Sequence, residues 1–413
     1  MSEKLPEGWK IATLEDIARV TSGGTPSRKK SSYWNGCIPW VTTGEILFNT
    51  ITQTNEYITE LGMLNSSAKI FPEGTLLIAM YGQGKTRGSV ARLGISAATN
   101  QACAVILLSD SQDSYFHFYN FQNKYNNIRN ISNTSSQKNL SLELIKKQKI
   151  IFPPIFEQQK IAHILLTWDD AIHHTQNFLE NSKTQKKALM QQLLTGRRRL
   201  PGFSEKWKPI KLSRLFERVK AKNSTGCTNV VTISAQHGLI RQEEFFNKTV
   251  ASAVLDNYFL IKKGHFAYNK SYSKGYPFGA IKRLNRYDMG VVTSLYICFS
   301  IRDTAACDSD FFEHFFEYGA LNSALEKIAH EGGRAHGLLN VKPEDFFSIQ
   351  MTIPPLPEQK AIADVLTAAD AVIQHYEAKL ANLQAQKKAL MQQLLTGKIR
   401  VKTDTDAAQH QPA

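Results

Sequence analysis

The sequence predicts an α+β fold in which two mixed α/β domains are separated by a long antiparallel two-helix coiled coil with pseudo-two-fold symmetry. Three observations carry this expectation. Gln185–Gly196 and Gln386–Gly397 both read QKKALMQQLLTG, identical at an offset of 201. A heptad pattern of mostly apolar residues leads into each copy. The segments around the copies share a layout without sharing a sequence.

The repeat begins before the identical stretch. Pro153-Pro154-Ile155-Phe156-Glu157-Gln158 answers Pro354-Pro355-Leu356-Pro357-Glu358-Gln359 at the same offset. Steps of four and three residues from Ile161 visit Leu165, Trp168, Ile172, Thr175, Leu179, Ser182, Lys186, Leu189 and Leu193. The second copy gives Ile362, Leu366, Ala369, Ile373, Tyr376, Leu380, Leu383, Lys387, Leu390 and Leu394. This spacing is a coiled-coil seam. Prolines stand where they suit a helix start, and Gly196 and Gly397 stand where a C′ glycine ends one. Each helix is expected to span roughly 38 residues, or roughly 57 Å at the α-helical rise. One apolar stripe needs a partner, and the other copy is the nearest. A folded domain between the helices lets the second start where the first ends, which favours antiparallel pairing. Lys186 and Lys387 interrupt the seam; they either fix register or mark a point where the helices fray, and fraying is the favoured expectation.

The flanking segments read as mixed chains with short strands. Gly74–Ala79 and Val105–Leu108 are apolar runs of strand length in the first; Val230–Ile233 and Ser294–Phe299 are their like in the second. Tyr115–Ile131 and Phe311–His330 are expected helices, the latter with Phe312, Phe315, Phe316 and Leu321 inward. Glu7-Gly8-Trp9-Lys10 answers Glu205-Lys206-Trp207-Lys208, and Phe71–Gly74 answers Ile261–Gly264. Arg87–Arg92 answers Phe278–Arg283, and Ser136–Leu140 answers His336–Asn340. The resulting division is 1–155, 156–197 (first helix), 198–355, 356–400 (second helix) and a disordered tail, 401–413.

A net charge of +14 over 413 residues favours a polyanionic partner, most often nucleic acid. The polar stretch Met1–Lys10 argues against a signal peptide, and apolar runs fall short of a membrane span. The five cysteines are scattered and form no CxxC pair, so neither a metal site nor a disulfide framework is expected. Together these features point to the cytoplasm, with reduced thiols.

Ala79–Thr86 (AMYGQGKT) matches a relaxed phosphate-loop string, the basis of an alternative reading as a nucleotide-binding or nuclease enzyme. A phosphate loop must open a helix, whereas Arg87–Gly94 is poor helix. The favoured reading is a flexible glycine loop carrying Gln83, Lys85, Thr86 and Arg87 to a nucleic acid. Thr21–Thr43 interleaves Arg28, Lys29 and Lys30 with Tyr33, Trp34 and Trp40, the tryptophans being expected in the core. Asn269–Tyr276 and Gly332–Gly337 are further basic loops. Catalytic constellations are missing: the Pro-Pro motifs lack the flanking residues of an amino-methyltransferase, and His163, His173 and His174 read as surface or seam residues. His117 and the cysteines read as structural. A coiled-coil adaptor serving RNA is a third reading.

Taken together, Ser22–Ser27, Tyr33–Gly36, Ile38–Trp40, Tyr81–Arg87, Thr99–Gln101 and the two Pro-Pro…Glu-Gln…Leu-Leu-Thr-Gly helices resemble the specificity subunit of type I restriction–modification enzymes, HsdS, over nearly the whole chain. The resemblance implies target recognition domains at 1–155 and 198–355, each reading half of a bipartite DNA site. It implies helices that set the spacing and dock two methyltransferase subunits, with restriction/translocase subunits completing the complex. It implies no catalysis and no cofactor on this chain; S-adenosylmethionine, ATP and Mg belong to the partner subunits. The DNA-contact candidates are Thr25, Arg28, Lys29, Tyr33, Thr43, Tyr81, Gln83, Lys85, Thr86, Arg87, Gln137 and Lys138. In the second half they are Asn269, Lys270, Tyr272, Ser273, Lys274, Arg283, Arg334 and His336. Gln83, Thr86, Asn269 and Ser273 are the expected base readers. The two half-sites are expected to differ, because the two segments differ.

Overall fold

The computed structural model describes residues 5–131, 139–234, 237–246, 255–331 and 339–401. Each copy of the repeat is one uninterrupted helix of 39 residues, Ile155–Leu193 and Leu356–Leu394. Every seam position named above is buried or half-buried along both helices. The glycines that follow adopt the left-handed backbone a C′ residue needs, φ +69° at Gly196 and +74° at Gly397.

The chain forms two units, Met1–Gln176 with Lys379–Ala413, and Asn177–Ala378. In the first, the start of one repeat helix runs antiparallel to the end of the other. Glu157 pairs with Arg400 (2.8 Å) and, three turns on, Asp169 pairs with Lys387 (2.5 Å). The second unit repeats the arrangement with the roles exchanged: Glu358 pairs with Arg199 (2.5 Å) and Asp370 with Lys186 (2.5 Å). The favoured expectation of fraying at Lys186 and Lys387 is therefore corrected. Each lysine sits on an aspartate of the facing helix, which satisfies its charge without breaking the seam.

The glutamine of each Pro-Pro…Glu-Gln motif ties its helix to the sheet domain. Gln158 Nε2 donates to the Pro153 carbonyl (2.9 Å) while its Oε1 accepts from the Asp113 amide (2.9 Å). Gln359 does the same with Pro354 (2.9 Å) and Asp308 (2.9 Å). Asp113 and Asp308 in turn cap the helices Ser114–Asn123 and Ser309–Glu317, accepting from the Phe116 and Phe311 amides.

The sheets follow one plan. In the first unit the strand order is Ala18–Ser22, Cys103–Leu108, Leu76–Ala79, Val90–Leu93, Thr50–Ile51. In the second it is Phe216–Arg218, Ile297–Ile301, Phe266–Asn269, Ala280–Arg283. A two-stranded pair joins the start and end of each domain, Lys10–Thr13 with Lys149–Phe152 and Lys208–Lys211 with Gln350–Ile353. The turns match as well: Gly74 and Gly264 share φ +87°, Gly88 and Gly279 share +83°. The first unit carries a further four-stranded sheet, Glu56–Ile58, Trp34–Val41, Ala97–Thr99 and Ile70–Phe71. Among the described residues of the second unit, Val231–Ser234 pairs with Gly238–Arg241 and Phe259–Lys262 with Met289–Val292.

The core of the first unit joins Leu14, Ile78, Ile106, Phe116 and Tyr119 to Ile161, Leu165, Met391 and Leu394. That of the second joins Phe216, Phe266, Phe299, Phe312 and Phe316 to Leu193, Ile362 and Leu366. The four expected inward side chains, Phe312, Phe315, Phe316 and Leu321, are all buried. The two expected helices are each broken in two. Ser114–Asn123 gives way to Tyr125–Asn130 at Lys124. Ser309–Glu317 gives way to Asn322–Ile328 across Gly319, whose φ of +78° no right-handed helix contains. The tail 402–413 lies outside the described residues.

Candidate nucleic-acid interface

The first basic stretch is fixed to the four-stranded sheet by close backbone packing. A Cβ on Gly23 would lie 1.8 Å from the Thr99 carbonyl oxygen, and one on Gly24 would lie 2.3 Å from Ser67 Oγ. Only glycine fits either place. Trp40, buried as expected, donates its indole N–H to the Gly24 carbonyl (3.0 Å), and Thr25 hydrogen-bonds Gln101. Arg28 stacks 3.7 Å over the half-buried Trp34 and forms a two-pronged pair with Glu56 (2.7 and 2.7 Å). The hydrogen bonds from Arg28 hold the Glu56 carboxyl below its usual range. Lys29 is exposed, Thr43 is half-buried at the head of a single 3₁₀ turn, and Tyr33 is buried with its hydroxyl 3.0 Å from Lys30 Nζ. Tyr33 thus supports the surface from below.

The glycine loop joins Leu76–Ala79 to Val90–Leu93, which pair antiparallel. The chain re-enters a strand after Thr86, so the loop opens no helix and offers no helix N-terminus to a phosphate. Gly82 and Gly84 take φ of +137° and +59°. Tyr81, Gln83 and Lys85 are exposed, and Thr86 and Arg87 half-buried.

The matching loop of the second unit joins Phe266–Asn269 to Ala280–Arg283. Tyr272 and Lys274 are exposed, and Ser273 closes a turn on Tyr276 (2.8 Å). Asn269 Oδ1 accepts from the Ser271 amide (3.1 Å). Lys270 reaches the Val341 carbonyl (3.5 Å), and burial, aided by Arg218, lowers its pKa from the ordinary lysine value. Arg283 is held differently. Asp310 (2.6 Å) and Glu313 (2.5 Å) neutralise it, and it donates to Ser309 Oγ (2.6 Å). Arg92 makes the same hydrogen bond to Ser114 Oγ (2.9 Å) in the first unit, so both arginines strut a helix against its sheet. Gln137, Lys138, Arg334 and His336 lie outside the described residues.

Residues 6–180 match the type I restriction modification DNA specificity domain. The type I restriction enzyme MjaIX specificity subunit of Methanocaldococcus jannaschii is 32% identical over 194 residues, 45% of this chain and 42% of that one. Over these stretches the chain is similar to type I restriction enzyme specificity subunits. The putative MjaX specificity subunit of the same organism is 27% identical over 301 residues, 65% of this chain and 63% of its own length. The alignments thus span 42% and 63% of these relatives. A solved S subunit of a type I system from M. genitalium shares the fold, with a TM-score of 0.57 at 12% identity over 95% of this chain and 98% of that one.

Two sets of residues escaped the sequence reading. Asp169/Asp370 and Arg199/Arg400 recur at the same offset of 201 as the repeat itself, a signal present in the sequence. Tyr125 and Arg129, which hold the glycine loop, sit some forty residues away from it, and no local pattern marks them. Among the described residues no group of three or more His, Cys, Asp or Glu is arranged to hold a metal ion, and no helix is long and apolar enough to cross a membrane. His117 is fully buried with Nε2 2.8 Å from Gln112 Oε1, in keeping with its structural reading. Burial, with Lys124 adding to it, pushes its pKa down to about 3.

Proposed function

We propose that this chain is the DNA-reading subunit of a type I restriction–modification complex, each unit reading one half of an asymmetric bipartite site. The observation that carries the reading is the contrast between what repeats and what does not. Strand order, capping aspartates, motif glutamines and cross-helix ion pairs recur in both units. The loops at matching places, Met80–Gly88 and Lys270–Gly279, differ in sequence. One frame with two loop sets fits two unlike half-sites.

In this reading the exposed lysines and arginines of the loops supply the salt-dependent phosphate contacts. Gln83, Thr86, Asn269 and Ser273 address base edges. The domains follow the division 1–155, 156–197, 198–355 and 356–400. The repeat helices set the distance between half-sites, and their outward faces take two methyltransferase subunits at two matching surfaces. Restriction/translocase subunits complete the complex. Adenine methylation from S-adenosylmethionine and ATP- and Mg-dependent cleavage belong to those partners, in the cytoplasm.

Sequencing the methylated sites of cells that carry this chain with its modification partner tests the proposal. A motif of two different base runs separated by an unspecified gap supports it. A palindromic motif, or methylation unchanged when the chain is deleted, contradicts it.

A further inference from the structure

The glycine loop of the first unit is held from behind by a segment far from it in sequence. Tyr125 donates its hydroxyl to the Lys85 carbonyl (2.8 Å), and Arg129 donates to the Arg87 carbonyl (3.2 Å) and to Tyr125 Oη (3.0 Å). Arg87 returns a bond to the Arg129 carbonyl (3.2 Å). The approach is close because residue 88 is glycine: a Cβ there would lie 3.3 Å from the Arg129 backbone. Phe48 stands behind Tyr125, ring centroids 5.0 Å apart and nearly perpendicular. Phe48 itself takes φ +59°, an unfavourable backbone for a bulky residue, and its amide is tied to the Val90 carbonyl (3.0 Å). A left-handed glycine and three hydrogen bonds converge on Lys85–Gly88, with the strained backbone of Phe48 behind them.

We propose that Tyr125 and Arg129 are positioning residues for base recognition: they preset the Lys85–Gly88 backbone so that Gln83 and Thr86 meet DNA in one conformation. The inference rests on the reading of this loop proposed above. Such presetting saves the ordering entropy that a glycine-rich loop otherwise loses on binding. The matching loop of the second unit has other supports, Leu339 N–H to the Lys270 carbonyl (3.1 Å) and Tyr268 Oη to the Phe278 carbonyl (2.7 Å). Each loop therefore has its own clamp, and damage to one clamp should reach one half-site.

The test uses the full chain with its modification partner and reads the methylated motif for the wild type, Tyr125→Phe and Arg129→Lys. Tyr125→Phe keeps the ring against Phe48 and removes only the hydroxyl. In both variants the preference for the specified bases falls roughly tenfold at one half-site, the one that Gln83→Ala also alters, a loss the size of one good base contact. The other half-site and the gap are retained, which a general folding defect would not allow. Unchanged motifs, or equal loss at both half-sites, overturn the inference. A wild-type motif that is not bipartite overturns the reading beneath it, and the inference with it.

Discussion

Lys387 is the sharpest point at which to test the cross-helix ion pairs. Its residue is 8% exposed, its Nζ lies 2.5 Å from Asp169 Oδ1, and Asp169 Oδ2 accepts the Tyr119 hydroxyl at 2.6 Å. Burial, with this hydrogen bond adding to it, raises the Tyr119 pKa far above the ordinary tyrosine value, so Tyr119 is a donor at any working pH. Unit charges at about 4 Å interact by roughly 4 kcal/mol at an effective dielectric of about 20. Asp169 is 42% exposed at its side chain, and solvent there reduces the coupling to about 1–2 kcal/mol. Lys387→Met leaves Asp169 with Tyr119 alone; Asp169→Asn keeps an acceptor for Tyr119 and strands the lysine. Urea denaturation of both variants and of the double variant completes the cycle. The expected result is that each single change costs about 1–2 kcal/mol while the double change costs no more than either. Strictly additive costs, with coupling below about 0.5 kcal/mol, would refute the idea that these lysines anchor the register and leave the apolar seam to set it alone.

Other consequences follow from single residues. His117 is neutral in the fold, with its pKa down at about 3, and takes a proton near the ordinary histidine value once unfolded. The unfolded chain therefore binds the extra proton between those values, and stability falls as pH drops from about 6.5 toward 3; His117→Gln should flatten the acid limb of a melting-temperature profile. Gly397→Ala would set a Cβ 2.7 Å from Pro6 Cγ at φ +74°, whereas Gly202→Ala, at φ +87°, meets nothing within 4 Å. The first should lower the thermal midpoint by more than the second, which carries only the roughly 1 kcal/mol backbone cost. In duplex binding, Lys85→Ala should reduce the slope of log K against log salt by about one, the signature of one lost phosphate contact. Arg283→Ala should leave the slope unchanged and lower the melting temperature, because Asp310 and Glu313 already neutralise it.

The long helices were legible because their signal is carried by the sequence twice, as a heptad seam and as a repeat. The matching turns were legible for a related reason: glycines at Gly74 and Gly264, and at Gly88 and Gly279, mark backbone that other residues take only with strain. The lysines in the seam misled, since a heptad reading judges each helix alone. The aspartates that receive them lie on the other helix, close only once the chains run antiparallel. The helix breaks do carry local signals, the polar run Gln122–Asn127 around Lys124 and a left-handed glycine at 319, which an expectation of one helix per segment passes over. At the interface, composition identified which loops are basic. It could not separate Lys85, which is exposed, from Arg283, which struts a helix, because that difference depends on acids brought in from another element. The clamp of Tyr125 and Arg129 is tertiary in the same sense.

The central claim is that the repeat helices measure and the loops read. It is tested most directly by removing one heptad from each helix between the ion pairs, Thr175–Asn181 and Tyr376–Asn382, and sequencing the methylated sites. Seven residues are about 10 Å of helix, or about three base pairs of duplex. The account predicts the same two half-site sequences with a shorter gap. Altered half-site bases at an unchanged gap would contradict it.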